Sequence, residues 1–351
     1  MPDGTIRLAD HTTLRLGGPA RRWVTAVSAE ELTAAVAEAD AAGEPVLVLG
    51  GGSNLVVADE GFAGTVVEVA TTGVRADHDS DHGADPTCGG AMVTVAAGET
   101  WDDLVARAVE HGWVGVEALS GIPGTVGATP IQNVGAYGQE VSQTIAQVRV
   151  WDRVLRGVRT FANADCRFGY RTSRFKQDPA RHVVLDVTFQ FRIGTLSAPV
   201  AYAELARALD VEVGQRAPLA DVREAVLGLR RAKGMVLDPV DHDTWSAGSF
   251  FTNPVVEPDR VPVGAPAYPQ ADGTVKTSAA WLIERAGFGK GYPHDAAGPV
   301  TLSTKHTLAL TNRGGARTAD LLALAREIRA GVEKEFGIRL ENEPVLLGVD
   351  L

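Results

Sequence analysis

Two glycine-rich segments narrow the range of folds that this sequence can adopt. The first is Gly50-Gly51-Gly52-Ser53-Asn54, and it lies between the apolar runs 45–49 and 55–57. Short, continuous apolar runs of this kind are typical of buried strands. Because glycine has no Cβ, consecutive N–H groups in the loop can approach a phosphate and form an anion nest. A Gly-Gly-Gly-Ser run can also be a flexible tether, but its position between two strands favours a phosphate-binding loop.

The second glycine-rich segment, residues 121–138, contains five glycines and two prolines. A chain of this composition forms neither a regular helix nor a regular strand. Its apolar and small polar side chains suit close packing against a flat ligand. A buried structural loop is the alternative for this segment alone. Together with the first loop, it indicates a site for a large dinucleotide.

The common nucleotide-binding and hydrolase fingerprints are absent from the sequence. No G-x-G-x-x-G opens a helix after a strand, and no G-x-x-x-x-G-K-[ST] occurs, which disfavours a Rossmann or P-loop enzyme. There is also no H-E-x-x-H zinc helix and no G-x-S-x-G nucleophile elbow. The two glycine-rich segments therefore remain the main candidates for a ligand site.

Composition limits the partners of the chain. Its 351 residues, 45% hydrophobic and 22% charged, are enough for globular cores in two or three domains. The formal charge of -11 disfavours nucleic acid and acidic membranes, because proteins that bind them usually carry a basic face. An anionic ligand would therefore need a local cluster of cationic side chains.

The sequence has no clear pattern for disulfide bonds, a metal site, a membrane span or a signal peptide. The two cysteines, Cys88 and Cys166, are too few for a disulfide framework and lack metal-ligand spacing, so we expect free thiols. The acidic stretch 77–85 favours a solvated hairpin loop over a metal site. No apolar run approaches the ~20 residues of a membrane span, and the first residues do not resemble a signal peptide. We therefore expect no metal and a cytoplasmic location.

Helix and strand signals are interleaved along the chain. Ser28-Ala29-Glu30-Glu31 is a capping box that predicts a helix ending at Gly43. Alternation at 66–69 and 93–96 predicts strands. Apolar stripes at helical spacing predict three more helices, around Trp101, Leu104, Val105 and Ala108, around Val222, Ala225, Val226 and Leu229, and around Leu321, Ala325, Ile328 and Val332. The pattern indicates an α+β chain.

Six ordered motifs resemble the family of UDP-N-acetylenolpyruvoylglucosamine reductases, also called UDP-N-acetylmuramate dehydrogenases. The motifs are residues 12–20, 50–54, 122–138, 166–171 (Cys-Arg-Phe-Gly-Tyr-Arg), 247–254 (Ala-Gly-Ser-Phe-Phe-Thr-Asn-Pro) and 341–344 (Glu-Asn-Glu-Pro), and the resemblance that they carry extends over nearly the whole chain. The resemblance implies a two-lobed FAD-binding domain of the vanillyl-alcohol-oxidase type plus an α+β substrate-binding domain. The expected boundaries are 1–70 with 338–351 for one lobe, 71–213 for the other, and 214–337 for the substrate-binding domain.

The resemblance also implies a reaction. NADPH reduces FAD and leaves, and the UDP-sugar then takes its place and is reduced to UDP-N-acetylmuramate, a peptidoglycan precursor. A monomer is expected, with no nucleic acid or membrane partner. An FAD-dependent oxidase of the same fold, acting on an alcohol or hydroxy acid, is the alternative enzyme, and a nucleotide-sugar-binding protein without chemistry is the alternative from another class.

Site residues follow from matching the motifs one residue at a time. For the cofactor, the resemblance implies Gly50, Gly51, Gly52, Ser53 and Asn54 at the FAD diphosphate, and Ser120, Gly121, Ile122, Pro123, Gly124, Thr125, Gly127, Gln132, Asn133, Gly135 and Ala136 around the flavin and ribityl chain. For catalysis it implies Arg171, Ser249 and Glu343. For the substrate it implies Tyr170, Tyr202, Lys233 and Asn253.

Physical chemistry is compatible with these roles but leaves alternatives open. Arg171 would stabilise negative charge beside the substrate carboxylate, and Ser249 would deliver a proton. A protonated Glu343 could donate a hydrogen bond if burial raises its pKa. Taken singly, an arginine in a basic loop is usually solvated and Gly-Ser before two phenylalanines is usually a turn. The family's Leu-Glu-Pro-Glu is Leu-Glu-Asn-Glu here, so Glu341 stays open as the acid.

Overall fold

The structure is a computed structural model that describes residues 6–78, 90–294 and 298–351. Its helices are α1 (Ala29–Ala41), α2 (Trp101–Glu110), α3 (Arg174–Gln177), α4 (Ala203–Ala208), α5 (Leu219–Ala232), α6 (Ala279–Arg285) and α7 (Thr318–Phe336). Its strands are β1 (Ala20–Ala26), β2 (Val46–Leu49), β3 (Leu55–Val57), β4 (Phe62–Val69), β5 (Val74–His78), β6 (Gly90–Ala96), β7 (Trp113–Val114), β8 (Gly135–Ala136), β9 (Gln139–Glu140), β10 (Ile145–Asp152), β11 (Gly157–Ala162), β12 (His182–Ile193), β13 (Val255–Val256), β14 (Ala267–Pro269), β15 (Val275–Thr277), β16 (Val300–Leu302), β17 (Leu310–Asn312) and β18 (Val345–Leu347).

The helices and strands predicted from the sequence are confirmed. The Ser28 hydroxyl accepts the N–H of Glu31 at 3.1 Å and caps α1, which ends shortly before the left-handed Gly43. The other three predicted helices are α2, α5 and α7, and the four predicted strand segments fall on β2, β3, β4 and β6. Interleaved helices and strands make the chain α+β.

The structure describes one of the two cysteines, Cys166, and only the first residues of the acidic stretch 77–85. Cys166 is a free, buried thiol, and burial raises its pKa to about 12. Residues 79–89 lie outside the described residues, and they include Cys88 and most of the acidic stretch 77–85. The strands on either side of that segment, β5 and β6, pair antiparallel. No helix in the described ranges is long and apolar enough to cross a membrane.

Residue contacts divide the chain into two compact units. The first unit contains residues 1–21, 52–63 and 232–351, and the second contains 22–51 and 64–231. These two units are defined by contacts between residues. The division into three parts that the family resemblance implies stays a prediction.

The second unit is built on a large, mainly antiparallel sheet with the strand order β11-β10-β12-β6-β5 and with β7 added to β12. A smaller sheet has the order β1-β4-β2. The first glycine-rich segment begins directly after β2, and the second begins just after the 3-10 turn 117–119. The core buries Trp101, Phe189 and Phe191 completely or almost completely. Each buried aromatic stabilises the unit by about 1.5–3 kcal/mol through the hydrophobic effect.

The first unit packs helices α6 and α7 over a core that contains Phe250, Phe251 and Leu321. Its strands form the small sheet β13-β15-β14, the hairpin β16-β17 and the parallel pair β18-β3. The two phenylalanines follow Ser249 directly, so burial of their rings fixes the backbone on which this serine lies. The parallel pair β18-β3 brings the C-terminal residues beside the end of the first glycine loop.

Candidate functional site

The two glycine-rich segments meet within the second unit. A Cβ placed on Gly50 would lie 2.5 Å from the Thr125 Oγ1 atom, and one placed on Gly51 would lie 2.7 Å from the Gly124 Cα atom. Real Cβ atoms do not approach other atoms so closely. A side chain at Gly51 would meet backbone and push the loops apart, whereas one at Gly50 would force the Thr125 side chain to move. The sequence selected these segments separately, and the structure brings them into direct backbone contact.

The contact leaves backbone donors at the junction of the two loops. Among the described residues, no acceptor lies within hydrogen-bond distance of the N–H groups of Gly51, Gly124 and Thr125. Clustered backbone N–H groups without side chains are suited to bind phosphate oxygens. The loops therefore fit the diphosphate of a dinucleotide such as FAD.

Other backbone groups of the second loop are used to hold its shape. The Trp101 N–H donates to the Gly124 carbonyl at 3.0 Å, and the Trp101 indole N–H donates to the Leu119 carbonyl at 3.0 Å. The N–H groups of Val126 and Gly127 donate to residues just before α2, at 2.8 Å each. Residues 124–127 of the loop are thus fastened to the start of α2 and to the residues just before it.

A salt bridge adds to this fastening. The Asp102 carboxylate accepts the Gly121 N–H at 2.6 Å and two hydrogen bonds from Arg223 on α5, at 2.7 and 2.9 Å. Burial alone would raise the pKa of Asp102, but the hydrogen bonds from Arg223 and Gly121 outweigh it and lower the pKa below 3.8. Asp102 therefore stays ionised and keeps the loop tied to two helices. The sequence analysis missed this pair, because an aspartate in a first helical turn usually serves its own helix.

The later part of the second loop surrounds Arg171. The guanidinium of Arg171 donates to the Gly135 carbonyl at 2.7 Å, and the residue adopts a left-handed φ of 52°. Asn133 is almost fully buried, and its side-chain amide donates to Glu140 and to the Gly169 carbonyl, at 2.8 and 3.1 Å. These bonds fix Arg171 against residues that were predicted to surround the flavin.

Ser120 and Tyr170 occupy different environments in the same unit. The Ser120 hydroxyl is fully buried and donates to the Glu117 carbonyl at 2.7 Å, so it supports the turn that precedes the loop. Tyr170 is 40% exposed, and the Arg171 guanidinium lies 5.7 Å from its ring centroid. Exposure leaves the Tyr170 ring accessible to a ligand.

Tyr202 packs on the second glycine segment. Its ring lies edge-on to the ring of Tyr137, with centroids 5.7 Å apart. A Cβ on Gly138 would lie 2.8 Å from the Ala201 Cβ atom, so the two segments touch at their backbones. Nearby, Arg230 is buried, which lowers its pKa to about 10.

The first unit brings together a second group of predicted residues. The Glu343 N–H donates to the carbonyl of Phe250, next to Ser249, at 2.9 Å, and the Asn54 carbonyl accepts the N–H of Val345 at 2.9 Å. The Asn54 side-chain amide also donates to the Glu343 carbonyl, at 3.4 Å. The segment that contains Glu343 therefore hydrogen-bonds both to the segment of Ser249 and to that of Asn54.

The Ser249 side chain is half-buried, and no described residue accepts a hydrogen bond from its hydroxyl. Glu343 is also half-buried, whereas Glu341 is exposed and uses its carbonyl to accept from Thr252 at 3.0 Å. This environment favours Glu343 over Glu341 as the acid. A Cβ on Gly52 would lie 1.9 Å from the His11 carbonyl oxygen, so this loop position also requires glycine.

Two of the remaining predicted residues, Lys233 and Asn253, lie at or beside the end of a helix. Lys233 directly follows α5 and is half-buried. The Asn253 Oδ1 atom accepts the N–H of Ala279 at 3.0 Å, at the start of α6. Because its oxygen is held there, Asn253 presents its amide donors in one fixed orientation. Ser53, Ile122, Pro123, Gln132 and Ala136 lie in the two glycine-rich segments as expected.

Comparisons with known proteins agree with this geometry. Residues 20–155 match the model of an FAD binding domain, and residues 238–347 match that of the C-terminal domain of UDP-N-acetylenolpyruvoylglucosamine reductase. The UDP-N-acetylenolpyruvoylglucosamine reductase of Cutibacterium acnes is 60% identical over 98% of this chain and 89% of its own length. That of Thermobifida fusca is 59% identical over 99% of this chain and 98% of its own.

A solved structure gives the same result. The crystal structure of the reductase from Thermus caldophilus is 26% identical, covers 97% of both chains and superposes with a TM-score of 0.62. The predicted fold class, α+β with an FAD-binding domain, is confirmed. From the family models and the relatives that match almost its full length, the chain belongs to the family of UDP-N-acetylenolpyruvoylglucosamine reductases, and it is an oxidoreductase with an FAD-binding domain.

Proposed function

We propose that this protein reduces the enolpyruvyl double bond of UDP-N-acetylenolpyruvoylglucosamine with NADPH, giving UDP-N-acetylmuramate for peptidoglycan synthesis. Family membership supports the substrate. The observation that carries the cofactor assignment is the backbone contact between the loops at Gly50–Gly51 and Gly124–Thr125, with its N–H donors. We further propose a monomer in the cytoplasm.

FAD would be held by the backbone of the two glycine-rich loops where they meet, at Gly50–Gly51 and at Gly124–Thr125. Bound FAD would supply the redox chemistry, taking a hydride equivalent from NADPH and delivering it to the methylene carbon of the substrate. The protein must then stabilise the negative charge that forms on the substrate and deliver a proton to it.

Negative charge would develop on the carbon beside the substrate carboxylate and delocalise into that carboxylate. We assign its stabilisation to Arg171, whose cationic guanidinium is held in place by the Gly135 carbonyl at 2.7 Å and can pair with a carboxylate. Such preorganised donors lower a barrier because they need no reorientation during the reaction.

Proton delivery is assigned to Ser249. Its hydroxyl has no acceptor among the described residues and is therefore available to a substrate carbon. Glu343 lies on the neighbouring segment, joined by its N–H to the Phe250 carbonyl at 2.9 Å. If protonated, it would donate a hydrogen bond to the substrate carboxylate.

The UDP part needs cationic and aromatic groups in an otherwise acidic protein. We assign the diphosphate to Lys233 and Tyr202, and further contacts to Asn253 and Tyr170. Lys233 supplies the positive charge, and the half-exposed ring of Tyr202 is accessible to a ligand.

A two-stage anaerobic experiment tests the proposal. NADPH should bleach the flavin absorbance of the purified protein, and subsequent addition of the enolpyruvyl UDP-sugar should restore it with formation of UDP-N-acetylmuramate. Rapid reoxidation by oxygen, without any response to the UDP-sugar, would instead identify an oxidase. A purified protein without bound flavin that still binds the UDP-sugar would identify a binding protein.

A further inference from the structure

Glu117 has a fully buried carboxylate that the proposed reaction does not use. It begins a short 3-10 turn that leads into Ser120. Three neutral N–H groups donate to this carboxylate: the backbone of Gly115 at 2.6 Å, the backbone of Ala198 at 2.8 Å and the side chain of Gln139 at 2.9 Å. A buried carboxylate is costly unless such donors satisfy it. The three donors therefore explain how the protein tolerates it.

Two of these donors come from segments that contain the facing tyrosines. Gln139 closes the turn that begins at Tyr137, and its Oε1 atom accepts the N–H of Ala118 at 2.8 Å. Ala198 precedes Tyr202 on the segment that leads into α4. One carboxylate thus joins the turn 137–139 and the segment 198–202.

Direct packing supports the same connection. The Tyr137 and Tyr202 rings meet edge to face at 5.7 Å. Gly138 and Ala201 approach so closely that a Cβ on the glycine would lie 2.8 Å from the alanine Cβ atom. The position of Tyr202 therefore depends on how the segment 198–202 lies on the turn, and Glu117 bonds to both.

We propose that Glu117 is a positioning residue for the substrate: it holds the segment 198–202 on the turn 137–139 and so sets the affinity for the UDP-sugar through Tyr202. The inference rests on the proposed function, because it takes Tyr202 to contact the substrate diphosphate. The role needs a carboxylate, since both oxygens accept N–H groups. A glutamine would turn its own NH₂ group toward one of these donors.

The E117Q variant and the E117Q/Q139E double variant separate this role from simple support of the fold. In the double variant, the new amide can donate to the new carboxylate, which still accepts from Ala118, but the Ala198 N–H loses its acceptor. We expect the KM for the UDP-sugar to rise about tenfold in both variants, the effect of losing one charge-assisted hydrogen bond. Flavin reduction by NADPH should keep its normal rate.

Two further variants make the test decisive if E117Q does not fold. Replacing Ala198 by lactic acid, which exchanges its N–H for an ester oxygen, removes only the Ala198 donor and should raise the same KM. The matched control is D152N, which alters another buried carboxylate that accepts two backbone N–H groups, from Val154 and Leu155, at 3.0 Å each. It should leave the KM unchanged.

The outcomes are distinct from those for the proposed function. If the unmodified protein does not turn over the UDP-sugar, the proposed function fails. If it does, but the folded double variant or the ester variant has a normal KM, the positioning role of Glu117 is wrong. A parallel fall in the rate of flavin reduction, or a KM effect of equal size in D152N, would show that Glu117 acts only on the fold.

Discussion

The guanidinium of Arg223 donates a hydrogen bond to each carboxylate oxygen of Asp102, at 2.7 and 2.9 Å. The same carboxylate accepts the N–H of Gly121 at 2.6 Å. Helix α5 is thereby linked to the loop that we assign to the flavin. Because paired, bidentate bonds hold one geometry better than single contacts, this link should keep the loop in shape when the cofactor is absent.

Replacing Asp102 with alanine should weaken FAD binding and destabilise the protein by about 2 kcal/mol, the scale of a hydrogen bond to a charged group. Asp103→Asn is the matched control, since Asp103 is exposed and occupies the next position of the same helical turn. Flavin titration of the apoprotein and urea unfolding at pH 7 would measure both effects. Equal behaviour of the two variants would contradict the role of Asp102.

The same pair predicts a pH dependence. The pKa of Asp102 in the folded protein lies below its ordinary value of 3.8. Its contribution to stability is therefore complete above pH 3.8 and is lost as the pH falls through the folded pKa, because the unfolded chain takes up the proton first. Urea unfolding between pH 5 and pH 3 should show a steeper loss of stability in the unmodified protein than in Asp102→Asn.

Gly51→Val should abolish flavin binding while the protein still folds. The valine Cβ would lie 2.7 Å from the Gly124 Cα atom and would separate the two loops. Gly228→Ala is a suitable control, because no atom lies within 4 Å of the added Cβ and alanine is favoured in the interior of α5. The absorbance ratio of flavin to protein measures the effect, and full occupancy in Gly51→Val would reject the assignment.

Ser249→Ala should lose most turnover, by about 10²- to 10⁴-fold, the usual contribution of general acid catalysis. Flavin reduction by NADPH needs no proton from this hydroxyl, so stopped-flow bleaching should proceed at nearly its normal rate. Reoxidation by the enolpyruvyl sugar should be the slow step. Ser249→Cys should recover part of the loss, because a thiol is a stronger acid. Normal reoxidation in Ser249→Ala, or loss of FAD, would point to Glu343, Glu341 or a water as donor.

Tyr202→Phe and Lys233→Ala should raise the KM for the UDP-sugar much more than they slow flavin reduction by NADPH, because each removes a proposed diphosphate contact. Arg231→Ala is the control for Lys233, since Arg231 is an exposed cation in the last turn of α5. Steady-state kinetics with each substrate varied in turn would measure the KM for the UDP-sugar, and stopped-flow bleaching would measure flavin reduction by NADPH. A normal KM in both variants would place the diphosphate elsewhere.

Local patterns in the sequence were sufficient to predict many elements. The Ser28 cap, the apolar runs on either side of Gly50–Asn54 and the stripe led by Trp101 specify α1, β2, β3 and α2, because capping, strand burial and helical periodicity act over a few residues. The composition of residues 121–138 predicted neither a regular helix nor a regular strand, and the segment contains only a 3-10 turn at 126–128 and the two-residue strand β8. The family resemblance supplied the functional residues, which periodicity and composition could not identify singly.

Only the tertiary structure decided which backbone atoms meet. The approach of Gly51 to Gly124 and the hydrogen bonds from Ala198 and Gln139 to Glu117 join residues far apart in the chain. No pattern of nearby residues marks such a pair, since a buried glutamate or a paired aspartate has the same local sequence as a solvated one. The sequence determined which segments could form a dinucleotide site, and the packing of α2, α5 and the large sheet determined how the segments within the second unit are held.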